Sequence, residues 1–205
     1  MYPNKVQTQE MIKVLGAVRY TYNYNLDKWT SMWNMYKQDH TLPKPCANLL
    51  NKLWTKEKPD WAKGVAHCIL HNAIIDLGTA YTNFFKKISE KPVYHKRGKR
   101  DSFRVDNDKA RILQKQIRLP KIGWIKLAEE LRYTGKILFY TVSTYAGEWY
   151  VSVWVELPDT ETTVPDSVVG VDVGLEKHPA YASDGTKLEL PLDTLKKLER
   201  KLKRA

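Results

Sequence analysis

One carboxylate stands inside an apolar run in the last quarter of the sequence. Asp172 follows Val-Val-Gly-Val at residues 168–171 and precedes Val173. A nearly continuous apolar run is typical of a strand covered on both faces. A carboxylate buried there costs several kcal/mol unless a cation or a cage of hydrogen bonds compensates for the lost water. Asp172 is therefore a candidate metal ligand, with a turn or cap role as the ordinary alternative.

A single carboxylate is only part of a nuclease site. Two-metal phosphodiester hydrolysis uses several carboxylates around ions about 4 Å apart. The neighbouring acids Glu176, Asp184 and Glu189 lie on a predicted hairpin, where solvated side chains are expected. We therefore predict that this chain alone is inactive as a nuclease.

The second chemical feature is a basic segment with aromatic residues between its charges. Ammonium and guanidinium groups bind phosphates, and aromatic rings stack on bases. Residues 91–126 contain 12 basic and 3 acidic residues, so most of the chain's net charge of +11 lies here. We predict nucleic-acid contacts in this segment, with a solvated loop as the alternative. The candidate residues are Lys96, Arg97, Lys99, Arg100 and Arg104 with the rings of Tyr94 and Phe103.

Two asparagines and two histidines also have types that could bind ligands. Asn23 and Asn25 lie in a predicted helix, and their amides could bind adenine or phosphate. A capping or interhelical hydrogen bond explains them equally well. His67 and His71 have the i, i+4 spacing of metal ligands, but no third ligand accompanies them. We expect no zinc within this chain.

The elements that would position these residues change type along the chain. Apolar residues recur every three or four positions over 7–37 and 63–88, which predicts two long helices with Tyr22, Trp29 and Trp33 in their core. A short helix near 47–55 separates them. Strand-like runs, a hairpin and a basic helix follow. The predicted bounds are 102–105, 111–113, 117–119, 124–127, 136–143 and 149–157 for strands, 179–190 for the hairpin and 192–204 for the helix.

Composition limits the classes of protein that this chain could be. With 205 residues, 42% apolar and 28% charged, it is typical of a soluble globular protein. No stretch is long and apolar enough for a membrane helix, and the N-terminal residues lack a signal-peptide pattern. We therefore expect a cytoplasmic protein with no membrane partner. The positive net charge favours a polyanionic partner.

Seven motifs, taken together and in order, carry a resemblance to a known family. The sequence resembles the N-terminal half of TnpB proteins, which are transposon-encoded RNA-guided DNA endonucleases related to type V CRISPR effectors. The motifs include Tyr-Pro-Asn-Lys at 2–5 and Gly-Val-Asp-Val-Gly at 170–174 with Ser-Asp-Gly at 183–185. The others lie at 18–25, 73–85, 100–104, 119–126 and 148–153.

The resemblance implies an α+β fold built from a wedge β-barrel of the oligonucleotide-binding kind. A helical recognition insert interrupts the barrel, and the start of an RNase H-like (RuvC) domain follows it. The implied domains are 1–90 for the helical insert with the N-terminal edge of the wedge, 91–158 for the wedge barrel, 159–166 for a linker, and 167–205 for an incomplete first part of the RuvC domain.

The resemblance also implies partners and a cofactor. The partners are a guide RNA and target DNA, with a second polypeptide possible as the source of the missing RuvC carboxylates. Asp172 would be the first ligand of a Mg²⁺ site that those carboxylates complete. Two alternatives stay open: a nuclease-dead RNA-guided DNA-binding regulator, and a plain RNA-binding protein.

Overall fold

The computed structural model describes residues 1–99, 101–158, 168–172, 180–188 and 192–203. They mix helices with short strands and divide into two compact units, Met1–Pro158 and Asp159–Ala205. The helices are α1 (Lys5–Gln38), α2 (Ala47–Glu57), α3 (His67–Phe85) and α4 (Leu192–Leu202), with a 3-10 helix at Asp60–Gly64. The strands are β1 (Ser102–Asp106), β2 (Arg111–Leu113), β3 (Gln116–Leu119), β4 (Gly123–Lys126), β5 (Lys136–Tyr145), β6 (Glu148–Glu156), β7 (Val171–Asp172), β8 (Ala180–Ala182) and β9 (Lys187–Leu188).

The strands form three antiparallel sheets of three strands each, in the orders β1-β5-β6, β2-β3-β4 and β7-β8-β9. Within the described residues they do not close into one barrel. The first two sheets share one core, in which Val105, Tyr140 and Ile117 pack with Met11 of α1. Alternation of buried and exposed residues along β1 and β3 produces this core, since successive side chains point to opposite faces of a strand.

The first residues connect both sheets to the start of α1. The Met1 ammonium donates to the Trp149 carbonyl at 2.7 Å, and the Tyr2 N–H donates to the Lys126 carbonyl at 2.8 Å. Asn4 and Gln7 then form a capping box, in which each side chain accepts from the other's backbone N–H. Gln7 Nε2 also donates to the Trp124 carbonyl at 2.7 Å, which fixes the helix start on β4.

A second core lies between the three helices of the first unit. Trp29 stacks on Tyr81 with ring centroids 4.3 Å apart, and Trp54 is completely buried beside Leu50. Tyr22 and Trp29 are buried as predicted. Trp33 is only half-buried against Tyr36 and Phe85, so its assignment to the core is wrong in degree.

The second long helix is shorter than predicted at both ends. Residues 60–64 form a separate 3-10 helix, and Val65 and Ala66 are extended before α3 begins. Lys121 Nζ donates to the Lys63 carbonyl at 2.9 Å, which gives that carbonyl a partner outside the helix. At the other end Lys87 has φ 59° and Ile88 is exposed, so the predicted core stripe ends before them.

Gly78 provides a test of the α2–α3 contact. A Cβ atom there would lie 2.9 Å from Ala47 Cβ, too close without a shift of one helix. We predict that Gly78→Ala lowers the free energy of unfolding by about 1–3 kcal/mol, because overpacking outweighs the gain in helix propensity. Ala47→Gly should restore the loss in the double variant, as measured by chemical denaturation.

Gly16→Ala in α1 is the matched control. No atom lies within 4 Å of its Cβ position, so the propensity gain of up to about 1 kcal/mol should be realised. If Gly78→Ala stabilised the protein as much as Gly16→Ala, the close approach of α2 and α3 would be contradicted.

Candidate nucleic-acid interface

The basic segment is attached to helix α1 through Tyr94 and His95. Asn23 Nδ2 donates to the His95 carbonyl at 3.1 Å, and the His95 N–H donates to Asn23 Oδ1 at 2.8 Å. The His95 imidazole stacks on the ring of Tyr22, with centroids 3.7 Å apart and planes 9° from parallel. The Tyr94 hydroxyl donates to the Asp27 carboxylate, and this hydrogen bond raises the pKa of Tyr94.

The residues that follow form a tight turn held by Asp101. The Lys99 N–H donates to the Lys96 carbonyl at 3.3 Å, and Gly98 has φ 78°, a left-handed conformation that favours glycine. The Gly98 N–H donates to Asp101 Oδ2 at 2.9 Å. Arg19 of α1 pairs with the other carboxylate oxygen at 3.3 Å. One carboxylate thus fixes the turn and links it to α1.

This anchoring leaves three cations exposed at the turn. Lys96, Arg97 and Lys99 are all exposed, and none forms an ion pair with another described residue. Arg100 lies outside the described residues. A rigid backbone that presents unneutralised cations suits phosphate binding, because little conformational freedom is lost when the anion arrives.

Arg104 and Phe103 have different surroundings from the turn. Phe103 is 3% exposed within the core of the two sheets, so its ring cannot stack on a base from outside. Arg104 donates to Asn72 Oδ1 at 3.1 Å and pairs with Asp76 at 3.3 Å, which ties β1 to α3. Burial raises the pKa of Asp76, and Arg104 partly opposes that shift.

The two asparagines differ as well. Asn25 is 1% exposed and donates to the Thr21 carbonyl one turn earlier, at 2.8 Å. It lies on the inward face of α1 that also carries Tyr22 and Trp29, because helix positions three and four apart share a face. The interpretation of Asn25 as a nucleic-acid contact is corrected to a core hydrogen bond. Asn23 instead holds the backbone of the basic segment at His95.

The sequence analysis missed Arg19 and Asp101, which position the turn. Arg19, Asn23 and Asp27 recur at intervals of four, so they share one face of α1. Each contacts the basic segment, through Asp101, His95 and Tyr94 respectively. This polar i, i+4 stripe could have predicted that one face of α1 contacts the basic segment. The apolar stripe on the neighbouring face was the stronger pattern.

Asp172 lies in the second unit, on the two-residue strand β7. It is opposite Tyr181 of β8 in the antiparallel register. Both Val171 and Asp172 are exposed, so the expected strand covered on both faces is not found in the described residues. Asp184 accepts from the Thr186 N–H at 2.8 Å, and this hydrogen bond lowers the pKa of Asp184. Asp184 is thus a turn residue, whereas Glu176, Glu189 and the predicted linker 159–166 lie outside the described residues.

Potential metal ligands are dispersed among the residues that the structure describes. No group of three or more His, Cys, Asp or Glu side chains converges there. His67 and His71 lie with ring centroids 6.0 Å apart, and burial lowers the pKa of His67. Among the described residues, Asp172 could provide Mg²⁺ with one carboxylate ligand, and no group of three ligands forms around it. None of the described helices is long and apolar enough to cross a membrane.

Comparison with known proteins finds relatives of this chain. The OrfB_IS605 helix-turn-helix domain model matches residues 1–38. The chain is 32% identical to the "Putative RNA-guided DNA endonuclease InsQ" of Escherichia coli K12, over 98% of the chain and 50% of that relative. These matches support the resemblance of the chain to TnpB proteins.

A second relative is a "Putative RNA-guided DNA endonuclease" of Streptomyces pristinaespiralis. It is 29% identical over 85% of the chain and 44% of the relative. The chain spans about half the length of the curated relatives that it matches. The residues matched by the helix-turn-helix model form the Tyr2 bridge and one continuous helix, α1.

Proposed function

We propose that this chain is the nucleic-acid-binding part of an RNA-guided DNA endonuclease of the TnpB type. It would bind a guide RNA and target DNA through the basic turn and the sheets beside it. In this proposal, the first two sheets correspond to the wedge, although they do not close into one barrel among the described residues. The helices correspond to the recognition insert, and the second unit begins the RuvC domain. The similarity to the two named endonucleases supports the proposal.

The observation that carries the binding function is the anchored basic turn. Its backbone is held by Asn23 and Asp101, while Lys96, Arg97 and Lys99 are exposed without ion pairs to described residues. Two acids lie near the turn: half-buried Asp101 pairs with Arg19, and Asp27 accepts from the neutral Tyr94 hydroxyl and keeps its charge. The three cations of the turn and Arg19 outnumber these two carboxylates, so the local field is positive and attracts a phosphate backbone.

The catalytic part of the proposal concerns Asp172. An RNA-guided endonuclease of this type would use Mg²⁺, and Asp172 would supply one of its ligands. Mg²⁺ prefers about six oxygen ligands in octahedral geometry and keeps several waters. One carboxylate holds it weakly, so further carboxylates must complete the site. Mg²⁺ bound there would stabilise the charge that develops on the phosphodiester.

The basic turn is tested by the salt dependence of binding. Each phosphate contact contributes about −0.7 to −0.9 to the slope of log K against log salt concentration. We predict that Lys96→Gln, Arg97→Gln and Lys99→Gln together weaken binding to a structured RNA hairpin and reduce that slope by about 2 to 3. Fluorescence anisotropy between low and moderate salt measures both quantities.

The control variant removes the same charge elsewhere. Lys5, Lys37 and Lys52 are exposed lysines without ion pairs to described residues. Their triple replacement by Gln should leave the slope nearly unchanged. An equal change in both variants would mean that only net charge matters. An unchanged affinity and slope in the turn variant would make the turn a solvated surface and contradict the proposal.

A further inference from the structure

An exposed aromatic pair joins Tyr20 of α1 to Trp61 of the 3-10 helix. The rings of Tyr20 and Trp61 meet edge to face with centroids 5.1 Å apart, and the residues are 44% and 52% exposed. Tyr20 continues inward to Tyr24 and to Trp54, which is completely buried. The pair is thus the outer end of an aromatic cluster whose inner end belongs to the core. Rings supported in this way keep their orientation when a ligand arrives.

Three adjacent depressions share lining residues of α1, and we refer to them together as the trough. At one end, Arg19, Lys96 and Lys99 line a shallow depression beside the basic turn. Arg19 also lines the next depression, together with Tyr20 and Gly16. Gly16 in turn borders a pocket of about 450 Å³ walled by Trp61, in which Val65 and Ile122 provide apolar surface. A Cβ at Gly16 would meet no atom within 4 Å, so the trough is open at this point.

Charges along the trough favour an anionic ligand. Two of the acids that border it pair with cations: Glu10 with Lys13 at 2.6 Å, and Asp101 with Arg19 at 3.3 Å. Asp27 also lines it and accepts from the Tyr94 hydroxyl, and the cations along the trough outnumber these acids. Glu57, next to Tyr24, accepts from the Tyr24 hydroxyl and pairs with Lys28 at 2.9 Å. The hydrogen bond from Tyr24, helped by Lys28, lowers the pKa of Glu57. The three cations of the turn have no such partners among described residues.

We propose that the trough binds a segment of single-stranded nucleic acid. One base of that strand stacks on the Tyr20–Trp61 pair, and the neighbouring phosphates extend toward Arg19 and the turn. Aromatic rings beside a row of cations are the usual means of holding single strands without regard to sequence. This inference rests on the proposed nucleic-acid-binding function and adds a stacking site to it. It also gives a reason for two large rings to stay exposed at a surface.

The test separates stacking on bases from contact with phosphates. The probes are a labelled oligothymidylate of about 15 nucleotides and an abasic strand of the same length, which has the same phosphates but no bases. Trp61→Ala should weaken binding of the oligothymidylate about 5- to 100-fold, a range that corresponds to the stacking of one base. It should leave binding of the abasic strand and the salt slope unchanged.

Three further variants make the result specific. Trp61→Phe should retain most of the affinity, since it keeps a ring. Tyr20→Leu should weaken oligothymidylate binding in the same selective way and guards against a Trp61→Ala variant that fails to fold. Trp154→Ala removes a tryptophan that is 57% exposed on β6 and lines none of these depressions, so it should bind like the unmodified chain.

Each other outcome has a definite meaning. If Trp61→Ala and Tyr20→Leu bind normally while the turn variant is weakened, the stacking site is overturned and the proposed function stands. Equal losses on the two probes would overturn stacking in favour of a structural role. An equal loss in Trp154→Ala would overturn the location. If the unmodified chain binds neither probe, or the turn variant keeps its affinity and slope, the proposed function fails and the stacking site fails with it.

Discussion

Replacing Trp54 by Ala should lower the free energy of unfolding by about 3–5 kcal/mol, the largest stability effect we expect from one substitution in this chain. Trp54 is completely buried where α2 meets α1, and it contacts the rings of Tyr20 and Tyr24. Removing the indole leaves a large cavity between helices, because the surrounding side chains can collapse into it only in part. Thermal and chemical denaturation measure the change.

Trp33→Ala is the matched control for that effect. Trp33 is half-buried near the end of α1, where Lys44 Nζ lies 5.5 Å from its ring centroid. We expect a loss of about 1–2 kcal/mol, since much of the ring already contacts water. Equal losses at Trp33 and Trp54 would contradict the core described for the helices.

The second large effect concerns catalysis. When the remainder of a RuvC domain is supplied in trans, Asp172→Ala should abolish Mg²⁺-dependent cleavage of target DNA and leave RNA binding intact. The physical reason is that a metal site cannot lose a carboxylate ligand without losing charge compensation and geometry. The isolated chain should bind RNA without cutting DNA. Gel analysis of cleavage and anisotropy of RNA binding are measured on the same preparation.

Asp184→Asn serves as the control for Asp172→Ala. Asp184 accepts a backbone hydrogen bond within its own turn, and an Asn oxygen can accept the same bond. Cleavage should therefore survive this substitution. Two results would count against the role of Asp172: full cleavage by Asp172→Ala in the completed system, or cleavage by the isolated chain that does not depend on Asp172.

Strands and helices followed from local patterns with few errors. The predicted strands at 102–105, 111–113 and 136–143 agree within two residues with β1, β2 and β5. Alternation and turn residues act over a few positions, so the sequence carries them directly. The predicted helix began at residue 63, but residues 63–66 lie outside α3. The periodic stripe starts at Val65, before α3 begins, and Lys121 provides a carbonyl partner from a distant turn.

The sequence indicated which residue types belong to the candidate site, but not how those residues are arranged in space. Charge density singled out the segment that forms the basic turn, whose role in binding stays a prediction. Phe103 and Asn25 are interior residues, and Arg104 links β1 to α3. Phe103 is followed by Arg104, and adjacent strand residues point to opposite faces. Residues that are neighbours in the sequence, such as Phe103 and Arg104, therefore lie on opposite faces of β1, one toward the core and one away from it.

By itself, the sequence determined the order of elements, the position of the positive charge and the motifs that carry the resemblance to TnpB proteins. Those properties depend on residue type and short spacing. Only the tertiary structure decided which cations are free: Asp101 and Asn72 engage Arg19 and Arg104, while Lys96, Arg97 and Lys99 have no ion-pair partner among described residues. The contact of Arg19 with Asp101 joins residues 82 positions apart, and the contact of Arg104 with Asn72 joins residues 32 positions apart. No local sequence pattern specifies such distant pairs.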